Sequence, residues 1–233
     1  MPARRNGPVS SNVRHLMAKR DYFSEIHELR LRNPKGRRSF DAMLYRLEPL
    51  HKITNSLLKR RKFSEIDREM LRYIPVGVVA CIEGYFKGLI RDLIDLGSPY
   101  RENIVDLKEI KPTLEGLVGL SSGKATLGEF VSHFISMSNI EDIDRYVSAI
   151  LGVEFLKQVK LTTGLPDKVL SGVAKCFELR HITVHELAPD TIPTSKDASE
   201  FVMWGFFLTM ATERLLNSML EDDLISNAQS EDA

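Results

Sequence analysis

The chain has 233 residues, 43% of them apolar, which is enough for one sizeable core and argues against disorder over most of its length. Lys plus Arg and Asp plus Glu both total 32, so the whole molecule carries no net field that would draw in nucleic acid from a distance. Cys81 and Cys176 stand alone, with no C-x-x-C pair or Cys/His cluster, which argues against zinc, thiol redox chemistry and a disulfide framework and fits a reducing cytoplasm.

The charges are sorted along the chain. Arg4, Arg5, Arg14, Lys19, Arg20, Arg30, Arg32, Lys35, Arg37 and Arg38 crowd the first forty residues, against Asp21, Glu25 and Glu28. Residues 1–38 read as a basic arm, a candidate phosphate-contact surface through Arg4, Arg5, Arg14, Lys19, Arg20, Arg37 and Arg38. A solvated amphipathic helix is the alternative reading of the same arm. The opening "MPARRNGPVS" has charge without an apolar stretch behind it, unlike a secretory signal.

Apolar residues recur at three and four throughout, with no sustained alternation, so the expected fold is all α. A basic helical piece spans Val13 to Leu31, and "RNPKGRRS" follows as a linker broken by Pro34 and Gly36. Phe40 to Lys59 reads as a helix interrupted or entered late at Pro49. A long helix starts at Ser64, an N-cap with Asp67 three residues on, and runs through Ile66, Met70, Ile74, Val78, Ile82, Phe86, Ile90 and Leu93 to Gly97, with Pro75 as a kink or split. Its stretch "IPVGVVACIEGYFKGLI" contains Glu83 and Lys87, and "FVMWGFFLTMA" is about half the ~20 residues a bilayer needs, so no membrane partner is expected.

The segment from Ser98 to Lys124 is the least regular, a connection with a short helix. Short helices then start at Thr126 and at Asn139, the second with Asn139 and Asp142 as a capping pair. Pro166 suits the first position of the next helix, which carries Val169, Val173, Phe177, Ile182 and Val184. "LAPDTIPTSKD" closes it, and Ser195 opens a last helix through Phe201, Trp204, Leu208, Ala211, Leu215 and Leu216, whose aromatics Trp204, Phe206 and Phe207 read as core. Residues 221–233 form an acidic tail.

Two familiar motifs are absent. "GLSSGKAT" is one residue short of a phosphate-cradling loop, with Ala125 at the Ser/Thr position. His15, His27, His51 and His133 have no second ligand at i+3 or i+4, so neither metal nor cofactor is expected.

"KCFELRHITVHELAPD", residues 175–190, is different. Here Arg180, His181 and His185 interrupt an apolar helical pattern that then breaks at Pro189. On a helix turning about 100° per residue the two histidines lie within about 40° of each other, and Arg180 is long enough to reach the same space. Metal-free RNA cleavage needs a base for the 2′-OH, an acid for the leaving oxygen and a fixed positive charge on the phosphorane. Imidazoles, with an unperturbed pKa of about 6.5, suit the first two tasks, and a guanidinium fork suits the third. The same residues also permit a structural reading, in which Arg180 caps carbonyls or pairs with Glu178 or Glu186 and His185 meets the negative end of the helix dipole.

Arg180 and His185, spaced R-x4-H with polar His181 behind the arginine, resemble the mark of the HEPN superfamily, and "ELRHITVHE" is most similar to the RiboL-PSP type. Arg20 to His27 and Arg46 to His51 have comparable spacing, but the second contains Pro49 and the first has Asp21 behind the Arg. The long helix with Glu83 among apolar positions extends the resemblance over about residues 64–220. The organisation implied is an arm (1–38), a HEPN-like helical domain (39–220) and the acidic tail.

The resemblance implies a metal-independent endoribonuclease acting as a cytoplasmic homodimer, with catalytic Arg180, His181 and His185, and a role as a toxin or in antiviral defence with an antitoxin or other regulatory partner; Glu83 is a candidate support that orients an imidazole or holds Arg180, with a buried structural pairing as the equal alternative. A dimeric scaffold or partner-binding module of the same fold is the alternative, and an arm-driven nucleic-acid-binding protein a third.

Overall fold

A computed structural model describes residues 21–32, 38–108, 110, 114–186 and 190–231, with 220–231 given by backbone alone. Its elements are α1 (Tyr22–Arg32), α2 (Ser39–Leu58), α3 (Glu65–Leu96), a 3-10 turn (Glu102–Asp106), α4 (Leu114–Ser121), α5 (Leu127–Phe134), α6 (Ile140–Leu151), α7 (Phe155–Thr163), α8 (Asp167–His181), a π-turn (Ile182–Glu186) and α9 (Ser195–Glu231). Among the described residues there is no strand, and the all-α expectation is met.

The 32-residue α3 is the axis of the bundle, in contact with α2, α5, α6, α8 and α9. It starts where the sequence places it: the Ser64 side chain accepts from the Asp67 backbone N–H, and the Asp67 carboxylate accepts from the Ser64 N–H. Pro75 neither splits α3 nor Pro49 α2, and both helices are continuous through these residues. Contrary to the expectation from Glu83 and Lys87, α3 is by length and composition apolar enough to cross a membrane, but more than half of its most apolar window is buried by the surrounding helices.

Close approach to α3 is set by small residues and aromatic packing. Leu50 of α2 lies over Gly77, Ser39 over Gly88, and Gly205 of α9 meets Val78 and Ile82, so α2 runs antiparallel to α3. Tyr85, Phe86 and Phe155 stack edge to face in the centre, and the Tyr85 hydroxyl donates to Glu213 of α9 at 2.7 Å. Trp204 covers Gly172, which ties α9 to α8. Phe207 departs from the expected core set: it is 43% exposed and, with Met203, Trp204, Met210, Leu165 and Pro166, lines an open apolar groove of about 660 Å³.

Helix α7 has no counterpart in the sequence pattern, which passes from Ile150 to Pro166 without an element. Only Phe155 and Val159 of this nine-residue helix are buried, too few for a visible period, and Gly152 and Gly164 bracket it in left-handed conformation. Pro166 stands one place earlier than expected, as the N-cap of α8. The backbone of α9 continues through the acidic stretch to Glu231.

Helix α1 docks on α5 by a mixed contact. Arg30 holds Glu129 through a forked pair, His133 lies 2.7 Å from Glu25, and the Phe23 ring occupies the space in front of Gly119.

The cap of α3 predicts an acid response. Hydrogen bonds from the Ser64 backbone, and then from Arg60, hold the Asp67 carboxyl below its ordinary range. A depressed folded-state pKa stabilises fully above the unfolded value and loses that stabilisation as pH falls through the folded one. Asp67→Asn is therefore expected to lower the thermal midpoint at pH 7, with the gap to wild type closing below about pH 4 in a pH series of melts. A gap independent of pH would assign the loss to packing.

Candidate active site at the end of helix α8

Val169, Val173, Cys176 and Phe177 bury one face of α8, and the Cys176 thiol points to the Pro75 carbonyl at 3.7 Å. Burial pushes both thiols, Cys81 and Cys176, up from their ordinary pKa, which removes them as nucleophiles. The last α-helical turn carries Arg180 and His181.

The helix then widens. Residues Ile182–Glu186 form a π-turn, with Thr183 buried and Val184, His185 and Glu186 exposed. Residues five apart on an α-helix point about 140° away from each other. A π-turn closes hydrogen bonds from i to i+5 and so turns less per residue, which swings His185 back toward Arg180. The sequence pattern implies a regular helix here. The local signal for the widening is the run Ile182-Thr183-Val184, three β-branched residues that crowd a regular turn just ahead of Pro189.

The rings of His181 and His185 lie 4.9 Å apart, centroid to centroid, at 44°. His181 is 62% exposed and its Nε2 stands 4.0 Å from Glu186 Oε1, a surface pairing of little energetic weight. Arg180 reaches Glu83 of α3 at 3.9 Å, with 28% of the arginine and 24% of the glutamate side chain exposed. Burial raises the Glu83 pKa, opposed by the charges of Arg180 and Lys87. Glu83 thus faces the guanidinium from the α3 side, and the arginine side chain remains partly exposed.

Of the residues selected from sequence, the structure thus sets His181 beside His185 at the surface and, separately, brings half-buried Arg180 to Glu83. Arg46 and His51 offer a contrast within the chain: they have the same spacing on the uninterrupted α2, where Arg46 is exposed and His51 turns inward to Asn55 at 2.9 Å. Of the proposed arm residues, Arg38 precedes α2 and pairs with Asp41 at 3.3 Å, whereas Arg4, Arg5, Arg14, Lys19, Arg20 and Arg37 lie outside the described residues. His133 is engaged by Glu25, and among the described residues no group of three or more His, Cys, Asp or Glu could hold a metal ion.

Among the described residues the fold is an all-α bundle, with a solvent-facing imidazole pair at the end of α8 and an Arg180–Glu83 ion pair between α8 and α3. Compared with protein-family models, curated proteins and solved structures, the chain has no significant match.

Proposed function

We propose that this chain is a metal-independent endoribonuclease of the HEPN type, acting as a cytoplasmic homodimer. The observation that carries the reading is the open pair of imidazoles 4.9 Å apart at the end of α8, whose last turn also carries an arginine 3.9 Å from a carboxylate on α3.

In this reading His185 takes the proton of a ribose 2′-OH, whose oxygen attacks the adjacent phosphorus. The bond from phosphorus to the 5′-oxygen breaks, and that oxygen receives a proton from a second imidazole. The products are a 2′,3′-cyclic phosphate and a 5′-hydroxyl. Arg180 neutralises charge on the phosphorane with a guanidinium that stays protonated, and His181 positions the phosphate or acts as the second proton-transfer group. One helix end reaches one face of the scissile phosphate, and a twofold mate supplies the other. A role as a toxin or defence effector, with an antitoxin or regulatory partner, belongs to the same proposal.

The test is incubation of the purified full chain with RNA in excess EDTA. Cleavage leaving 2′,3′-cyclic phosphate ends is the expected result. Cleavage abolished by EDTA and restored by a divalent ion overturns the proposed chemistry, and a dimer that leaves every RNA intact favours the scaffold reading.

A further inference from the structure

The corner between α2 and α3 reads "KRRK", residues 59–62. About half of the described lysines and arginines face a carboxylate, among them Arg30, Arg32, Arg38, Lys52, Arg72, Arg91, Lys157, Lys160, Lys175 and Lys196. At this corner Lys59, Arg61, Lys62 and Arg68 are exposed, and among the described residues none has a carboxylate within ion-pair distance. The corner is also fixed in shape. Arg60 bridges to buried Asp67, Ser64 and Asp67 cap α3, and Phe63 packs against the core.

Four unneutralised cations on a rigid turn cost self-repulsion, which a bound polyanion relieves. We propose that this corner binds the phosphate backbone of single-stranded RNA, guiding the strand toward the site at the end of α8. The choice of RNA among polyanions rests on the ribonucleolytic reading. Position supports it: Arg68 and Glu83 fall within about 60° of each other around α3 and about 22 Å apart along its axis, so corner and site share one side of the helix. A lipid surface fits less well. The exposed apolar residues beside the corner, Ile66 and Met70, are each two positions from Arg68 and so about 160° around the helix, and a plane that meets the cation leaves them out.

The experiment measures equilibrium binding of a fluorescent oligouridine to full-length chain carrying His185→Ala, so that cleavage plays no part. The background is compared with one adding Lys59→Gln, Arg61→Gln, Lys62→Gln and Arg68→Gln; Arg60 is kept because it braces the turn. Expected is at least a tenfold weaker Kd at about 0.1 M salt, and a fall of about 2 to 3 in the slope of log Kd against log salt, near 0.7 for each phosphate that the variant leaves unneutralised. Circular dichroism and the thermal midpoint establish that both chains are folded. An unchanged Kd and slope overturn the proposal, as does an equal loss from Lys157→Gln with Lys160→Gln, which would make the effect one of overall charge. Loss of binding to vesicles of phosphatidylserine with RNA affinity intact overturns it in favour of a membrane surface. Because binding is read without turnover, the RNA corner stands or falls separately from the nuclease chemistry.

Discussion

Replacing His185 with alanine is expected to lower RNA cleavage by about 10² to 10⁴ while leaving the chain folded. The imidazole is exposed, sits in a π-turn at the surface and takes no part in the core, so its removal leaves no cavity. Arg180→Ala is expected to be comparably damaging in rate, for a different reason: it removes the fixed charge and leaves the half-buried Glu83 with Lys87 as its remaining positive neighbour. Arg180→Lys separates charge from geometry, since lysine keeps the charge without the planar fork and is expected to recover only part of the activity. His181→Ala is expected to lie between wild type and His185→Ala if His181 positions the phosphate, and to match His185→Ala if it is the second proton-transfer group. Single-turnover cleavage rates, with circular dichroism for folding, check all four. Rates within a factor of two of wild type for His185→Ala and Arg180→Ala would remove the catalytic assignment.

Phe86→Ala is expected to destabilise the bundle by about 3 to 5 kcal/mol. Phe86 is fully buried at the middle of α3 and packs edge to face against both Tyr85 and Phe155. Truncation removes transfer free energy and leaves a void that three helices cannot close without breaking the approaches at Gly77, Gly88 and Gly205. Thermal unfolding should show a midpoint lower by roughly 10 °C. A loss under about 1 kcal/mol, measured by denaturant titration, would mean that this layer relaxes freely.

The two outcomes differ in kind. A His185 variant is expected to melt like wild type and fail to cut, whereas a Phe86 variant that remains folded at low temperature is expected to cut like wild type. This separation follows from the placement of His181 and His185 at the exposed end of α8, whereas Phe86 is buried inside the bundle.

Long elements were legible in sequence wherever one face is apolar over several turns. Helix α3 shows this best, with Leu71, Ile74, Val78, Ile82, Phe86 and Ile90 buried at helical spacing and the Ser64/Asp67 cap marking its start. Helix α7 was not legible, because a short helix burying two residues carries no period. Proline was a poor guide inside α2 and α3, where packing on both sides of the residue outweighs one missing backbone donor.

Residue identity by itself determined which groups could form a site: an arginine, two histidines and an acidic residue in an apolar setting, at spacings visible in the chain. Tertiary structure alone decided that Glu83 reaches Arg180, since they meet only when α8 lies on α3. It also decided that the helix widens at Ile182, and it singled out which of the many cations lack a carboxylate. Helical periodicity is a local property, fixed by neighbours in the chain, whereas ion pairing depends on which distant segments the core draws together.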